Sequence, residues 1–161
     1  MNLLETIFTI FLYAKQPTPT NTPIPTAVEV HQEDRRVGRL RDFFASYNSP
    51  LVGSESHFIE AADKYSLDWT LLPAIAGVES TFEKAGNTED HNPFGYMCKS
   101  GPCRFDSFDE AIDTVARTLG EGRAYARYRD SGSLSVLAEI YNYVSPDEWA
   151  SKIRYFQEKL K

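Results

Sequence analysis

Apolar residues recur at intervals of three and four along most of the chain beyond residue 32. This spacing places them on one face of an α-helix, whereas a half-buried strand would show strict alternation. The sequence therefore predicts a mainly α-helical domain. The four clearest apolar stripes are Val37, Leu40, Phe44 and Tyr47; Phe58, Ala61, Ala62 and Tyr65; Phe108, Ile112, Val115 and Leu119; and Trp149, Ile153, Phe156 and Leu160.

Capping residues and prolines predict where these helices begin and end. Proline disfavours helical backbone in the residue before it, so the first helix should stop before Asn48-Ser49-Pro50. A further short helix is expected over about 133–141. The predicted N-terminal caps are Asp68 for a helix from Trp69 to about Ser80, a capping box over 107–110, and a second capping box over 145–148 with Pro146 at its first helical position.

Between residues 85 and 106 the helical periodicity lapses into Gly, Asn, Pro and Cys. Short apolar pieces over 94–97 and 104–105 flank a Gly-Pro turn, which predicts a small β-hairpin lobe. The turn separates Cys98 from Cys103 and can bring the two thiols together as a disulfide. Zinc requires about four ligands, and His91 is the one plausible addition, so we expect no metal.

Composition divides the chain into three segments. Residues 1–14 are largely apolar but shorter than the roughly 20 residues that span a bilayer, so we expect a signal or an anchor. Residues 15–31 are rich in proline and threonine, which predicts an extended linker. Residues 32–161 form the predicted domain. An export segment and a disulfide together predict an extracytoplasmic protein, either secreted, periplasmic or tethered to the cell surface by its N-terminus.

The charge and motif content exclude several classes of function. A net charge of −6 over 161 residues disfavours nucleic acid as a partner. The sequence has no phosphate-binding loop and no dinucleotide fingerprint, so we expect no cofactor. We expect the domain to be a monomer.

The segment from Leu71 to Phe82 delivers one carboxylate, Glu79, at the end of an otherwise apolar helical run. The negative end of the helix dipole and the loss of water among Ile75, Val78 and Phe82 both resist its ionisation. A carboxyl group that keeps its proton near neutral pH can protonate a poor leaving group such as a glycosidic oxygen. Glu79 is therefore the candidate catalytic acid.

Three blocks of sequence resemble lysozyme-like domains, in the order found in bacterial lytic transglycosylases and cell-wall endo-β-N-acetylglucosaminidases. The blocks are Glu79-Ser80-Thr81-Phe82, Asn92-Pro93-Phe94-Gly95-Tyr96-Met97 and Ile140-Tyr141-Asn142-Tyr143. The resemblance covers about residues 50–160. It implies an α+β lysozyme-like fold, with a helical lobe, a small hairpin lobe and a glycan groove between them.

The resemblance also implies a substrate and a site. The substrate would be peptidoglycan or another polymer that contains N-acetylglucosamine, cut at β-1,4 bonds with Glu79 as general acid. Tyr141 is the candidate that orients Glu79 or binds substrate. The candidate substrate-binding residues are Ser80, Phe94, Gly95, Tyr96, Asn142 and Tyr143, although the aromatic residues can instead fill the core.

The second carboxylate is left open by the sequence. Glu89, Asp90 and Asp106 are the candidates in or beside the hairpin lobe. If none of them faces the cleaved bond, a substrate group acts instead; attack by the C6 hydroxyl would give the anhydro product of a lytic transglycosylase. A non-catalytic glycan-binding module is the alternative from another class.

Overall fold

The described part of the chain, residues 34–85 and 87–161 of a computed structural model, consists mainly of α-helices, with a longer connection over 81–107 that carries a small hairpin. The predictions for segments 1–14 and 15–31 lie outside these residues. Within them, no helix combines the length and hydropathy that crossing a membrane requires. The helices are α1 (Arg35–Ser46), α2 (Glu55–Lys64), α3 (Leu71–Ser80), α4 (Phe108–Glu121), α5 (Ala126–Ser131), α6 (Leu134–Tyr141) and α7 (Pro146–Leu160).

A two-stranded antiparallel sheet is formed by β1 (Met97–Cys98) and β2 (Gly101–Pro102), with Met97 opposite Pro102. The hairpin is shorter than the apolar pieces over 94–97 and 104–105 predicted. A disulfide joins Cys98 to Cys103 with their Cα atoms 5.1 Å apart. The mainly helical class, the small hairpin and the disulfide are therefore confirmed.

Helix α3 lies at the centre of the core and packs against α7 and α2. Every residue from Leu71 to Gly77 is buried, as expected of a helix that is apolar on all sides. Pro73 is its third residue, where a backbone N–H would have no acceptor within the helix. The helix begins two residues later than predicted, because Asp68 Oδ1 accepts from Thr70 N at 2.9 Å and forms a turn ahead of it.

An aromatic cluster covers the C-terminal half of α3. The Phe82 ring is fully buried, with its centroid 4.5 Å from that of Tyr47 and 5.1 Å from that of Phe156. A Cβ atom at Gly77 would lie 2.6 Å from the Phe82 ring. Glycine at this position is therefore what allows Phe82 to pack against the helix that precedes it.

The chain leaves α3 through three consecutive residues in left-handed conformation, Thr81, Phe82 and Glu83, with φ of 53°, 58° and 63°. Such backbone costs roughly 1–2 kcal/mol per non-glycine residue. Burial of the Phe82 side chain offsets this cost. The Ser80 hydroxyl also accepts from Glu83 N at 2.7 Å, so the turn is held by side-chain contacts as well as packing.

The two predicted capping boxes behave differently. Ser107 Oγ accepts from Glu110 N at 3.2 Å, as predicted, while the Glu110 carboxylate accepts from Asp106 N at 2.7 Å. Ser145 is the N-cap of α7 and Pro146 its first residue, as predicted, but Ser145 makes no side-chain hydrogen bond to the helix, so the hydrogen bonding of the second box is wrong. Glu148 instead forms an ion pair with Lys152 one turn further along the helix.

Removing the disulfide should loosen the hairpin without unfolding the helical core. The loop that it closes is short, and a chain-entropy argument assigns it about 2 kcal/mol. Replacing both cysteines with serine should therefore lower the free energy of unfolding by roughly this amount, as measured by urea denaturation. Loss of the far-ultraviolet helical signal without denaturant would contradict this expectation.

Candidate functional site

Glu79 lies in the last turn of α3, and its carboxylate is held by a tryptophan from α7. Glu79 Oε1 accepts a hydrogen bond from Trp149 Nε1 at 2.7 Å. Trp149 is buried in the first turn of α7, whereas Glu79 is still exposed to solvent on one side. The carboxylate is therefore held by α7 on one side and open to a ligand on the side that faces solvent.

The protein environment raises the pKa of Glu79 above that of a free glutamate. The main cause is burial, which removes water from the charged form. The Trp149 N–H opposes this change, since it donates to the carboxylate and stabilises the ionised state. The sequence-based expectation of a raised pKa therefore agrees with this environment, with desolvation as the dominant cause.

Tyr141 connects Trp149 to the loop that follows Pro93. Its ring stacks on Trp149 with centroids 5.1 Å apart and an interplanar angle of 23°. Its hydroxyl donates to the carbonyl oxygen of Phe94 at 3.0 Å. Burial, followed by the nearby charge of Glu79, raises the pKa of Tyr141 well above its usual value. Tyr141 therefore remains a neutral donor that supports the site.

Gly95 brings backbone against the second oxygen of Glu79. Its φ of +59° is one that residues with a side chain rarely adopt. A Cβ atom at this position would lie 3.3 Å from Glu79 Oε2. The two carboxylate oxygens of Glu79 are thus linked by a chain of contacts. It runs from Oε1 through Trp149, Tyr141 and the Phe94 carbonyl to Gly95, which lies beside Oε2.

The open side of Glu79 faces a cavity of about 440 Å³. Helix α3, helix α7 and the turn between α6 and α7 form its walls, and no hairpin residue lines it. The predicted groove between two lobes therefore stays a prediction. The lining residues are Val78, Glu79, Asn142, Val144, Ser145, Glu148, Trp149 and Lys152.

Two of the predicted substrate-binding side chains are turned into the protein. The Phe94 ring is fully buried and packs against Phe58, so it does not stack on a ligand. Ser80 is also buried, and its hydroxyl donates to Pro93 O at 2.8 Å. This bond ties the end of α3 to the loop before Gly95, so Ser80 positions that loop.

The remaining predicted contacts divide between core and surface. The Tyr96 hydroxyl is 3.1 Å from Thr118 Oγ1, and its ring packs against the core. Asn142 lines the cavity, while its Oδ1 accepts from Ser145 N at 3.2 Å. Tyr143 is 83% exposed. Asn142 is therefore the predicted polar contact that reaches the cavity.

None of the three predicted second carboxylates lines the cavity at Glu79. Asp90 forms an ion pair with Arg104 at 2.6 Å, and Glu89 and Asp106 are exposed. Among the described residues, the other carboxylate of this cavity is Glu148. Sequence reasoning missed it because its position in an apparent capping box suggested a structural role.

Glu148 and Glu79 have opposite electrostatic environments. The Lys152 ammonium donates to Glu148 Oε1 at 2.7 Å, and this hydrogen bond lowers the pKa of Glu148. Glu148 is thus ionised under conditions in which Glu79 retains its proton more readily. A pair of carboxyl groups whose pKa values are pushed apart is what acid and base roles require.

Glu83 is a second buried carboxyl group that sequence reasoning did not identify. Burial raises its pKa, and its Oε2 has no hydrogen-bond partner among the described residues. Its place in the left-handed turn after α3, beside His91 and Asn92, keeps it out of the Glu79 cavity. It is therefore part of the support for the loop rather than of the reacting surface.

Over the described ranges, no group of three or more His, Cys, Asp or Glu side chains lies close enough together to hold a metal ion. Comparisons with protein-family models and with curated proteins found no match to this sequence. The resemblance to lysozyme-like domains therefore rests on the three sequence blocks alone.

Replacing Trp149 with phenylalanine should raise the pKa of Glu79 further, because the ionised carboxylate loses its hydrogen-bond donor. Carbon-detected nuclear magnetic resonance of labelled glutamate side chains measures this titration directly. In the unmodified protein we expect the Glu79 pKa to lie above the value of about 4.3 for free glutamate.

The matched control is Tyr141→Phe, which removes a hydroxyl from the same aromatic stack without removing a donor to Glu79. It should leave the titration close to that of the unmodified protein. A Glu79 pKa that falls or stays constant in Trp149→Phe would contradict the assignment of this hydrogen bond.

Proposed function

We propose that this protein cleaves β-1,4 bonds in a cell-wall glycan, as an endo-β-N-acetylglucosaminidase with Glu79 as the general acid. The observation that carries the proposal is a carboxyl group of raised pKa, anchored by Trp149, at the wall of an open cavity. The ordered resemblance of three sequence blocks to lysozyme-like domains supplies the substrate class. The substrate is peptidoglycan or a related polymer of N-acetylglucosamine.

The two oxygens of Glu79 have different roles in this mechanism. Oε1 accepts from Trp149, so the proton is carried on Oε2, which faces Gly95. Because Gly95 has no Cβ atom, no side chain of that residue crowds this oxygen. As the proton leaves, the Trp149 N–H stabilises the developing negative charge on the carboxylate, so its contribution grows toward the transition state.

Glu148 is the residue that we propose to activate water. It lines the same cavity as Glu79 and is kept ionised by Lys152. An ionised carboxylate accepts a proton from water as the oxygen attacks the sugar, which completes hydrolysis after Glu79 has released the leaving group. The sequence had left this role open, with Glu89, Asp90 and Asp106 as the candidates.

A lytic transglycosylase is the second candidate, favoured by the absence of Glu89, Asp90 and Asp106 from the lining of the cavity. In that reaction the C6 hydroxyl of the substrate attacks, so a single acid suffices and the product has an anhydro end. A glycan-binding module without catalysis is the third, favoured by the exposed Tyr143 and Val144 beside the cavity.

We propose an extracytoplasmic location for this activity. The disulfide between Cys98 and Cys103 suits an oxidising compartment. Residues 1–14 would direct export or tether the protein, and the proline-rich segment over 15–31 would hold the domain away from a membrane.

Glu79→Gln should abolish cleavage while preserving the fold. The amide oxygen can still accept from Trp149 Nε1, but the side chain has no acidic proton to donate. Loss of general acid catalysis should reduce kcat by roughly 10²- to 10⁴-fold, measured as fragments released from purified peptidoglycan. Mass spectrometry of those fragments then identifies reducing or anhydro ends.

The control for this experiment is Glu139→Gln, an exposed acid outside the cavity, which should keep full activity. Activity of Glu79→Gln within a few-fold of the unmodified protein would disprove the mechanism. Binding to wall material by the unmodified protein without any released fragment would support the binding module instead.

Glu148→Gln should lower kcat by about tenfold or more with little change in KM, because water loses its base whereas substrate contacts remain. Asp147→Asn, the exposed neighbour that does not line the cavity, is the matched control. If Glu148→Gln keeps full activity and the products carry anhydro ends, the protein is a lytic transglycosylase and the proposed hydrolysis is wrong.

A further inference from the structure

A second cavity of about 570 Å³ continues from the one at Glu79 along the seam between α3 and α7. The two cavities share the lining residues Val78, Glu148 and Lys152. They therefore form one trough, here called the α3–α7 groove. It begins at the turn between α6 and α7, passes Glu79, and ends at Tyr155 and Phe156.

The α3–α7 groove carries an exposed apolar side chain near each of its ends. Large apolar side chains in the described residues are mostly buried, but Val144 is 76% exposed and Tyr155 is 53% exposed. Val144 lines the cavity at Glu79, and Tyr155 lines its continuation. Exposed apolar groups gathered along one trough are a mark of a binding surface.

The Tyr155 ring has two neighbours at the far end of this groove. It packs edge-on against Phe156, with centroids 5.3 Å apart at an angle of 69°. The ammonium of Lys159 lies 5.0 Å from its centroid. A rigid aromatic ring offers a large contact area at a low cost in conformational entropy.

Polar groups lie between the two apolar ends. The ion pair of Glu148 and Lys152 stands at the junction of the cavities, and both side chains are more than half exposed. The Glu148 carboxylate can accept hydrogen bonds from hydroxyl groups, and the Lys152 ammonium can donate to carbonyl oxygens. The groove therefore combines a flat apolar ring with charged hydrogen-bonding groups, the chemistry that matches a sugar with an apolar face and a polar rim.

We propose that the α3–α7 groove binds the glycan chain beyond the bond that is cut, with Tyr155 stacking on a sugar ring of a β-1,4-linked N-acetylhexosamine polymer. The inference rests on the proposed function, because it takes the occupant of the groove to be the same chain that Glu79 cleaves. Continuity of the two cavities is what places one ligand across both. Substrates that extend into the groove therefore bind more tightly than short ones.

The test compares Tyr155→Ala with the unmodified protein on two probes, the hexasaccharide and the disaccharide of β-1,4-linked N-acetylglucosamine. Calorimetry is performed in the Glu79→Gln background so that no substrate is consumed. We expect Tyr155→Ala to weaken hexasaccharide binding by about tenfold, the loss of one aromatic contact, and to leave disaccharide binding unchanged.

Two further variants separate stacking from folding. Tyr155→Phe retains the ring and should bind the hexasaccharide as the unmodified protein does. Val52→Ala removes an equally accessible apolar group that lines neither cavity, and it should also bind normally. With active enzyme, Tyr155→Ala should raise KM for the hexasaccharide with little change in kcat.

The outcomes distinguish this inference from the proposed function. Equal hexasaccharide binding by Tyr155→Ala and the unmodified protein would disprove glycan binding in the groove, even if Glu79 proves catalytic. Loss of binding in Tyr155→Phe as great as in Tyr155→Ala would overturn stacking. Weaker binding in Tyr155→Ala alone, in a protein that releases no fragments, would support the groove and reject cleavage.

Discussion

The hydrogen bond from Trp149 to Glu79 is the interaction on which the site depends. A buried indole N–H requires an acceptor, because an unsatisfied donor costs about 1–3 kcal/mol. Glu79 meets this requirement with one of its two oxygens, which leaves the other available for the proposed proton transfer. Helix α7 thereby sets the position of a carboxylate that belongs to α3, and the packing of these two helices fixes the geometry of the proposed acid.

Strained backbone directly after α3 positions the residues around Glu79, the proposed acid. Three left-handed residues turn the chain immediately after Glu79 and Ser80. The turn buries Phe82 and lets the Ser80 hydroxyl reach Pro93. That bond helps to hold Gly95 close to the Glu79 carboxylate. The strained backbone of the turn is therefore tolerated because it lets Ser80 and Phe82 make contacts that position this loop.

Glu79 and Glu148 illustrate how environment separates two chemically identical groups. Burial disfavours the charge on Glu79, whereas the Lys152 ammonium favours the charge on exposed Glu148. Both line the same cavity, so the proposed proton donor and the proposed proton acceptor face one space. This contrast gives the proposed hydrolysis its direction.

The local features of this protein follow from its amino-acid sequence. Helical periodicity gave α1, α2, α4 and α7, the Ser107 cap was identified from its spacing, and the Gly-Pro turn indicated the disulfide. The side of α3 that opens to solvent depends instead on helix packing, since Glu79 and Trp149 are 70 residues apart in the chain. The tertiary structure also turned Phe94 and Ser80 inward and brought Glu148 to the cavity. The physical reason is that periodicity fixes the face of each helix, whereas the packing of distant helices decides which faces meet.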